Sequence, residues 1–365
     1  MSIIEIKRQK RALIARYARA NDLKGLAQSL TTLVPLALLW VAASLSVRIS
    51  YWLTAVVIVL LSLFTLRVLV LMHECGHESL FRTPLLNRSF GFLFGVLAGM
   101  PQYVWSQHHA FHHATNGNWE RYRGPLATLS VDEFAAMSAS RQQVYRHTRS
   151  WMMAPLGGFV YLLFNPRINW AKGSLQFVLH VLVKKAAQPR IAWRVHAGSF
   201  RTSIWKSGRE YWHMFWNNVV LLALWAAMCA VIGAGPFFAI YLISVSLAGG
   251  AGISLFTVQH NFEHAHATDS ARWDYDVGAM QGTSFLVLPA LLNWFTANIA
   301  YHHIHHLSAT IPNYALAACH DEYSGLFANV PRIRLSGIPR ALECILWDVR
   351  AQRIISVAEY ELQQR

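Results

Sequence analysis

The stretch that decides the fold runs from residue 51 to residue 77 and reads YWLTAVVIVLLSLFTLRVLVLMHECGH. A helix needs about 20 mainly apolar residues, each rising 1.5 Å, to cross the roughly 30 Å hydrocarbon core of a bilayer. Residues 51–72 meet that requirement, and His73 and His77 follow directly. Two residues four apart share one face of a helix. This stretch therefore predicts a membrane-spanning helix that presents a pair of imidazoles at its end.

Three more stretches are long and apolar enough to span a membrane. They lie near 31–47, 215–233 and 236–258. Very short turns join 31–47 to 51–72 and the last two stretches to each other, which predicts two helical hairpins. Other apolar stretches are interrupted by Gly, Pro or Asn, which favours re-entrant or interfacial segments. These lie at 89–104, 151–164 and 285–300. The predicted fold class is all-α, a polytopic membrane protein with four transmembrane helices in two hairpins.

The composition also favours a membrane protein. Of the 365 residues, 54% are hydrophobic and only 14% are charged, against about 25% charged residues in an ordinary globular domain. The net charge of +14 does not indicate nucleic-acid binding, because no basic stretch accompanies a recognisable reading module. All but two of the 32 Lys and Arg residues lie in the N-terminal tail, in 73–212 or after residue 258. The positive-inside rule places these three regions on one cytoplasmic face.

The chain termini and the cysteines add two negative expectations. The N-terminus begins with a polar, basic segment, so no signal peptide is expected and the first apolar segment stays as an anchor. None of the four cysteines forms a CxxC pair, which argues against a disulfide framework or a thiolate zinc site.

Most of the 18 histidines lie in four short windows on the predicted cytoplasmic side. The windows read HECGH at 73–77, HHAFHH at 108–113, HNFEHAH at 260–266 and HHIHH at 302–306. Two of them contain triplets with i, i+3, i+4 spacing, and such a triplet can offer ligands to two neighbouring metal ions. So many converging imidazoles suit a pair of borderline first-row ions, with iron compatible and calcium or magnesium not. The windows predict a shared metal site, because burying these rings without a common partner would leave many polar groups unsatisfied.

Simpler interpretations remain for single motifs. Isolated histidines, such as His147, His180, His196, His213 and His320, are better interpreted as structural residues. The HExxH pattern at 73–77 alone matches an intramembrane zinc protease, with Glu74 as general base, but it gives no reason for the two triplets. A metal transporter would place its histidines along a path near the midplane rather than at the ends of spans.

The histidine windows and their flanking phrases resemble the membrane fatty-acid desaturase superfamily. Its pattern is HxxxH, HxxHH and HxxHH on the cytoplasmic side of two helical hairpins, and the bacterial omega-6 (delta-12) acyl desaturases are the most similar branch. The matching phrases are HECGH with SLF at 79–81, WSQHHAFHH at 105–113, QHNFEH at 259–264, NIAYHHIHHL at 298–307 and IPNY at 311–314. The similarity covers roughly residues 50–325.

The resemblance implies a set of metal ligands. They are His73, His77, His109, His112, His113, His264, His302, His305 and His306. Here His264 is taken as the ninth ligand, and His260 is a weaker candidate for that role. His108 and His303 exceed the pattern. Acidic residues that could orient the ligand rings are Glu74, Glu263, Asp274 and Asp276.

The resemblance further implies a dioxygen-dependent di-iron enzyme that oxidises a fatty acyl chain, most simply a desaturase. Oxidative decarboxylation to terminal alkenes and hydroxylation stay open, because both begin with the same hydrogen abstraction. The expected partners are a lipid-linked, carrier-linked or free acyl substrate and an external ferredoxin or cytochrome. The basic stretch 184–209 could contact lipid phosphates or dock an acidic carrier or electron donor.

The expected location is the bacterial inner membrane, with the site facing the cytoplasm. The predicted organisation is a basic cytoplasmic helix (1–30), a membrane desaturase-like domain with a histidine-rich helical cap (31–325) and a cytoplasmic tail (326–365).

Overall fold

The computed structural model describes residues 3–124 and 127–364. Its α-helices in chain order are α1 (Ile3–Tyr17), α2 (Asp22–Ser46), α3 (Tyr51–Gly76), α4 (Pro84–Ala98), α5 (Gln102–Thr115), α6 (Val131–Ala135), α7 (Ala139–Thr148), α8 (Ala154–Phe159), α9 (Asn165–Ala187), α10 (Trp193–Ser199), α11 (Gly208–Ile232), α12 (Ala234–His260), α13 (Tyr275–Gln281), α14 (Ala290–Phe295), α15 (His302–Leu307), α16 (Asn313–Glu322), α17 (Ile338–Leu342) and α18 (Val357–Gln363). The strands are β1 (Leu129–Ser130), β2 (Phe285–Val287), β3 (Arg332–Arg334), β4 (Cys344–Asp348) and β5 (Arg353–Ser356). Short 3-10 turns at Trp151–Met153 and Leu335–Gly337 and a π-helical segment at Val160–Phe164 complete the pattern.

Four of the described helices, α2, α3, α11 and α12, are long and apolar enough to cross a membrane. A few residues join α2 to α3, and Gly233 alone joins α11 to α12 with φ 92°, a conformation that glycine adopts without strain. The helices therefore form two hairpins, and the predicted fold class is confirmed. All four extend beyond the predicted apolar spans, so α3 and α12 carry His73 and His260 in their last turns.

The helix α3 is the centre of this frame. Of the most apolar 18 residues of α3, 56% are buried inside the protein, whereas the same measure for α11 is 17%. Its buried side chains join one continuous core with residues of α2, α4, α11 and α12. The outer faces of α2 and α11 instead expose large apolar side chains such as Leu38, Val41 and Leu222. A broad apolar surface of this kind suits contact with lipid.

Glycines allow α8 to approach α12 closely. A Cβ atom added at Gly158 would lie 2.4 Å from backbone atoms of Gly249 and Gly250. Only glycine on both sides permits such an approach between helix backbones. This contact fixes the position of α12, and therefore of His260 at its end.

The interrupted apolar stretches form short elements. Residues 89–104 divide between α4 and α5 at Gly99, which has φ 78°, and at Pro101. Residues 151–164 contain a 3-10 turn, α8 and the π-helical segment, and 285–300 contain β2 and α14. None of these helices has the length of a span. Their assignment as re-entrant or interfacial segments stays a prediction.

A polar cap covers one end of the helical frame. The N-terminal helix α1 buries Ile6 and Leu13 against a core that includes Leu307 and Leu316 from α15 and α16. Ion pairs hold α1 to α13, Lys7 with Asp274 and Lys10 with Asp276. The residues after 325, which the sequence suggested as a tail, contain strands and short helices.

The strands of this C-terminal region join the rest of the chain. Strand β4 pairs with β1 in parallel and with β5 antiparallel, while β3 pairs in parallel with β2. Trp347 is buried and stacks on Trp119 at 5.2 Å between ring centroids. The region therefore packs on the loop that follows α5.

Candidate metal centre

Four helices bring histidines to the same place at the cap side of the frame. His73 lies in the last turn of α3, and His77 follows that helix. The helix α5 carries His109, His112 and His113, α12 ends at His260, and α15 carries His302, His305 and His306. The histidine-bearing ends of α3 and α12 therefore lie beside the two short helices α5 and α15.

The nine side chains form two groups in which the possible ligand atoms all lie within 4.8 Å of one another. The first histidine cluster consists of His73, His77, His109, His113 and His305. The second histidine cluster consists of His112, His260, His302 and His306. The clusters adjoin, because the rings of His113 and His306 stack with centroids 4.1 Å apart. Each HxxHH triplet is divided between the clusters, as its helical spacing suggested.

The Nε2 atoms converge within each cluster. In the first, Nε2 of His113 lies 3.0 Å from Nε2 of His109 and 3.1 Å from Nε2 of His305. The His73–His77 distance between the same atoms is 3.3 Å. In the second, the corresponding distances are 3.2 Å for His112–His306 and 2.8 Å for His260–His302.

These distances fit shared metal ions. Two nitrogens that each lie about 2.1 Å from an ion, at right angles, are about 3 Å apart. A neutral ring carries one proton, so hydrogen bonds alone cannot satisfy several Nε2 atoms that point at one another. The donor set is all imidazole, which suits a first-row transition ion.

Burial keeps the histidines of the two clusters neutral, which is the form of imidazole that binds metal. Loss of solvation, with a smaller contribution from the neighbouring His73, lowers the pKa of His77 to about 3. Burial is also the main cause that holds the pKa of His109, His305 and His306 well below the usual value, with nearby imidazoles adding to it. Metal binding requires neutral imidazole, so these rings need no deprotonation at neutral pH.

The structure differs from the sequence prediction at the ninth histidine. His264 lies outside both clusters, its side chain is 71% exposed, and Nε2 is 3.7 Å from the Glu263 carboxylate. Its backbone φ of 67° belongs to the turn after α12, which directs the chain away from the clusters. His260, in the last turn of α12, occupies the second cluster instead. The four-residue spacing between His260 and His264 could not show which of them faces the clusters, because that depends on the residue at which α12 ends.

Glu74 lies behind the first histidine cluster. One carboxylate oxygen is 3.1 Å from Nδ1 of His73, and the other accepts hydrogen bonds from the Ser79 hydroxyl (3.0 Å) and the Asn313 backbone N–H (3.1 Å). Such an acceptor fixes the tautomer and the orientation of a ligand ring. Glu74 is one of four acidic residues that the sequence suggested for this role, whereas no property of Ser79 or Asn313 indicated that they hold it.

The other acidic residues and histidines that the sequence suggested lie outside the two histidine clusters. Glu263 pairs with Arg340, Asp274 with Lys7, and Asp276 with Lys10. His108 is exposed. His303 is buried and contacts His320 at 3.1 Å, outside both clusters.

The geometry defines a class of protein, one with buried histidine clusters that could hold metal ions at the end of an apolar helical frame. The model of the fatty acid desaturase family matches residues 50–334. The chain is also similar to the Fatty acid desaturase of Bacillus subtilis (strain 168), with 32% identity over 357 residues, which cover 97% of this chain and 92% of that protein. The chain belongs to the fatty acid desaturase family. The predicted resemblance is confirmed, and membership implies an oxidoreductase with a fatty acyl substrate and a membrane association.

Proposed function

We propose that this protein introduces a C=C double bond into a fatty acyl chain by dioxygen-dependent oxidation at a di-iron centre. The observation that carries the proposal is the pair of adjoining all-histidine clusters in a chain of the desaturase family. The proposed ligands are those of the first histidine cluster and those of the second, so that His260 replaces His264 in the set suggested by the sequence.

The overall reaction removes two hydrogens from neighbouring methylenes and reduces dioxygen to two waters, with two further electrons and two protons from outside. When bound, two iron ions would supply the activation of dioxygen that an unactivated C–H bond requires. A separate ferredoxin or cytochrome is the proposed source of the electrons.

The protein residues have three tasks in this proposal. The neutral imidazoles bind the metal, and Glu74 accepts from His73 and fixes its ring. The buried surroundings exclude water from the reacting carbon. A small cavity of about 60 Å³ lies beside the second cluster, lined by apolar residues such as Trp151 and Phe256 together with polar ones such as Arg149 and Asn261, and it is the proposed place for part of the acyl chain. The centroid of the Phe256 ring lies 4.7 Å from the centroid of the His260 ring and 5.1 Å from that of the His112 ring.

The proposed location is the bacterial inner membrane, with the metal centre facing the cytoplasm. In two hairpins the free ends of all four helices lie on one side, and both clusters are at that side. Nearly all Lys and Arg residues lie in segments attached to those ends, which the positive-inside rule assigns to the cytoplasm.

The geometry around Glu74 does not favour a zinc protease. In that class the glutamate of HExxH faces the metal-bound water as general base. Here both carboxylate oxygens contact groups on the far side of His73, away from the converging Nε2 atoms. The nine imidazoles also exceed what one zinc ion uses.

The test of the reaction is lipid analysis of a desaturase-free bacterial host that expresses the chain. New internal double bonds support the proposal. Hydroxy acids, or volatile 1-alkenes one carbon shorter than the acid, would instead assign hydroxylation or decarboxylation. Metal analysis of the purified protein should give about two iron ions per chain, and a single zinc ion without iron would overturn the di-iron proposal.

The ligand assignment is tested by a matched pair of substitutions in one segment. We expect His260→Ala to lower both iron content and product formation at least tenfold, because the second cluster loses a ligand. His264→Ala should leave both unchanged, since that ring is exposed. Iron measured per chain by mass spectrometry checks both variants, and loss of iron in His264→Ala alone would reverse the assignment.

A further inference from the structure

A buried arginine, Arg67, lies in the apolar helix α3 without a carboxylate partner among the described residues. Its Nε donates to the Thr32 hydroxyl at 2.9 Å, and one terminal nitrogen donates to the Trp294 carbonyl. The guanidinium lies 3.9 Å from the centre of the Trp294 ring. The residue is only 3% exposed. Ionisable residues inside membrane spans are costly and mark functional positions.

A second arginine, the half-buried Arg167, shows what complete pairing looks like in this protein. Its Nε donates to Asn218 at 2.7 Å, one terminal nitrogen donates to Asn217 at 2.6 Å, and the other donates to the Gly99 carbonyl. All three nitrogens therefore have oxygen partners. In Arg67, by contrast, the terminal nitrogen Nη2 has no partner within residues 3–124 and 127–364.

A cavity of about 330 Å³ lies against Arg67. The first turns of α2 supply Gln28 and Thr31 to its wall, and α14 with the residues after it supplies Trp294 and Asn298. The described wall contains no acidic residue, so the arginine is the charged group that faces the cavity. A volume of this size holds a small ligand group rather than a water molecule alone.

In the proposed orientation, the cavity lies at the border between membrane and cytoplasm. It lies beside the start of α2, at the same side as the histidine clusters, and six residues before His73, about 9 Å along α3. The adjacent helix α14 exposes Leu291 by 67% and Trp294 by 38%. An exposed Trp and Leu on a short helix suit the interfacial layer, where lipid head groups lie.

We propose that this cavity binds the anionic head group of an acyl lipid, whose oxyanion pairs with the guanidinium of Arg67. Arginine forms strong charge-assisted hydrogen bonds with carboxylate and phosphate. The oxyanion is the carboxylate of a free fatty acid or the phosphate of a glycerophospholipid, and the shared chemistry is a negatively charged oxygen on an acyl lipid. The proposal concerns binding and does not depend on the reaction at the metal.

The cavity wall also contacts residues that hold the metal centre. The Gln28 side-chain oxygen accepts from the Asn313 amide at 2.8 Å, and the backbone N–H of Asn313 donates to Glu74. Asn298 donates to the Asn313 carbonyl at 3.3 Å. A lipid bound at Arg67 would thus lie against Gln28 and Asn298, which in turn contact Asn313, the residue that donates to Glu74.

The experiment measures lipid retention by the full-length protein in a neutral detergent, using native mass spectrometry. Phosphatidylglycerol is compared with diacylglycerol, and oleate with oleyl alcohol, so that each pair differs in the charged group. We expect the wild type to retain at least one anion over its uncharged partner. Arg67→Gln should reduce that retention roughly tenfold or more, in line with the loss of a charge-assisted hydrogen bond. Arg82→Gln, which removes an exposed arginine at the same side, should not.

A second pair of variants keeps Arg67 in place. Ala290→Glu adds a carboxylate to the cavity wall, where it would pair with the arginine and displace the lipid anion, whereas Ala290→Gln adds the same bulk without charge. Loss of anion binding in Ala290→Glu but not in Ala290→Gln supports the site. Retention of phosphatidylglycerol identifies phosphate, and retention of oleate identifies carboxylate. Equal retention of charged and uncharged lipids, or equal effects within each pair of variants, would overturn the proposal. Iron content is measured separately, so failure here leaves the proposed function untouched.

Discussion

Glu74 connects the first histidine cluster to the polypeptide around it. Its carboxylate is fully buried and accepts from the His73 ring and the Ser79 hydroxyl nearby in the chain and from the backbone N–H of the distant Asn313. A buried carboxylate is tolerated only where such partners replace water. The side chain therefore needs both oxygens as acceptors, which no neutral residue of similar shape provides.

The substitution Glu74→Gln tests this requirement. The amide replaces one acceptor oxygen with an NH₂ group that must face a donor, so we expect the His73 ring to lose its fixed orientation. Iron binding should weaken about tenfold to a hundredfold, the range seen when the hydrogen-bond partner of a ligand is removed. The measurement is iron retention against a competing chelator. Glu78→Gln, the same change at a carboxylate that is 57% exposed and lies near Arg88, is the control, and equal retention in both variants would contradict the assigned role.

At the scale of elements, the glycine contact between α8 and α12 determines where the second histidine cluster can form. The helix α12 carries His260 in its last turn, and the close approach at Gly158 fixes its path past α8. Any side chain at this contact would meet backbone, which cannot move aside without shifting a whole helix.

Neighbouring glycines in α8 provide a matched test. We expect Gly158→Ala to destabilise the protein by about 1–3 kcal/mol, because its Cβ would overlap with Gly249 and Gly250. Gly157→Ala should be close to neutral, since the added Cβ meets only the terminal methyl of Ile253 at 3.3 Å. Thermal unfolding in detergent gives the comparison. Equal melting temperatures for the two variants would show that the close contact does not limit stability.

At the scale of the whole molecule, the N-terminal helix closes the cap over α15, which carries the histidine window at 302–306. Leu13 is fully buried in the core that also contains Ile304 and Leu307 of α15. Of the two ion pairs that reach α13, the Lys7 pair is largely exposed and contributes little, whereas the Lys10 pair is partly buried. We expect the apolar burial of Leu13 to be the larger contribution that holds α1 in place.

The substitution Leu13→Ala should loosen this helix. Removing a buried leucine side chain costs about 2–5 kcal/mol, depending on how far the neighbours close the cavity. Hydrogen exchange across residues 3–17 should accelerate, and α1 should become sensitive to protease before the apolar frame unfolds. Ile4→Ala is the control, because Ile4 is 74% exposed. Similar exchange in the two variants would mean that α1 is held by contacts other than Leu13.

Local sequence was sufficient for the elements whose cause is local. Uninterrupted apolar length predicts the four long helices, and i, i+3, i+4 spacing predicts that His109, His112 and His113 share a face. The choice between His260 and His264 required the position at which α12 ends. The strands after residue 325 required partners far away in the chain, since β4 pairs with β1. Pairing of that kind leaves little periodic signal in short strands.

The sequence by itself determined that this chain forms apolar helical hairpins with histidine boxes at their ends, because length, hydropathy and helical spacing are properties of neighbouring residues. Only the tertiary structure decided how the boxes combine, with each triplet divided between two adjoining clusters. It also brought Glu74 to Ser79 and Asn313, and placed the unpaired nitrogen of Arg67 against a cavity. These relations depend on the packing of segments that are distant in the chain. The spacing of residues within a single segment therefore cannot predict these relations.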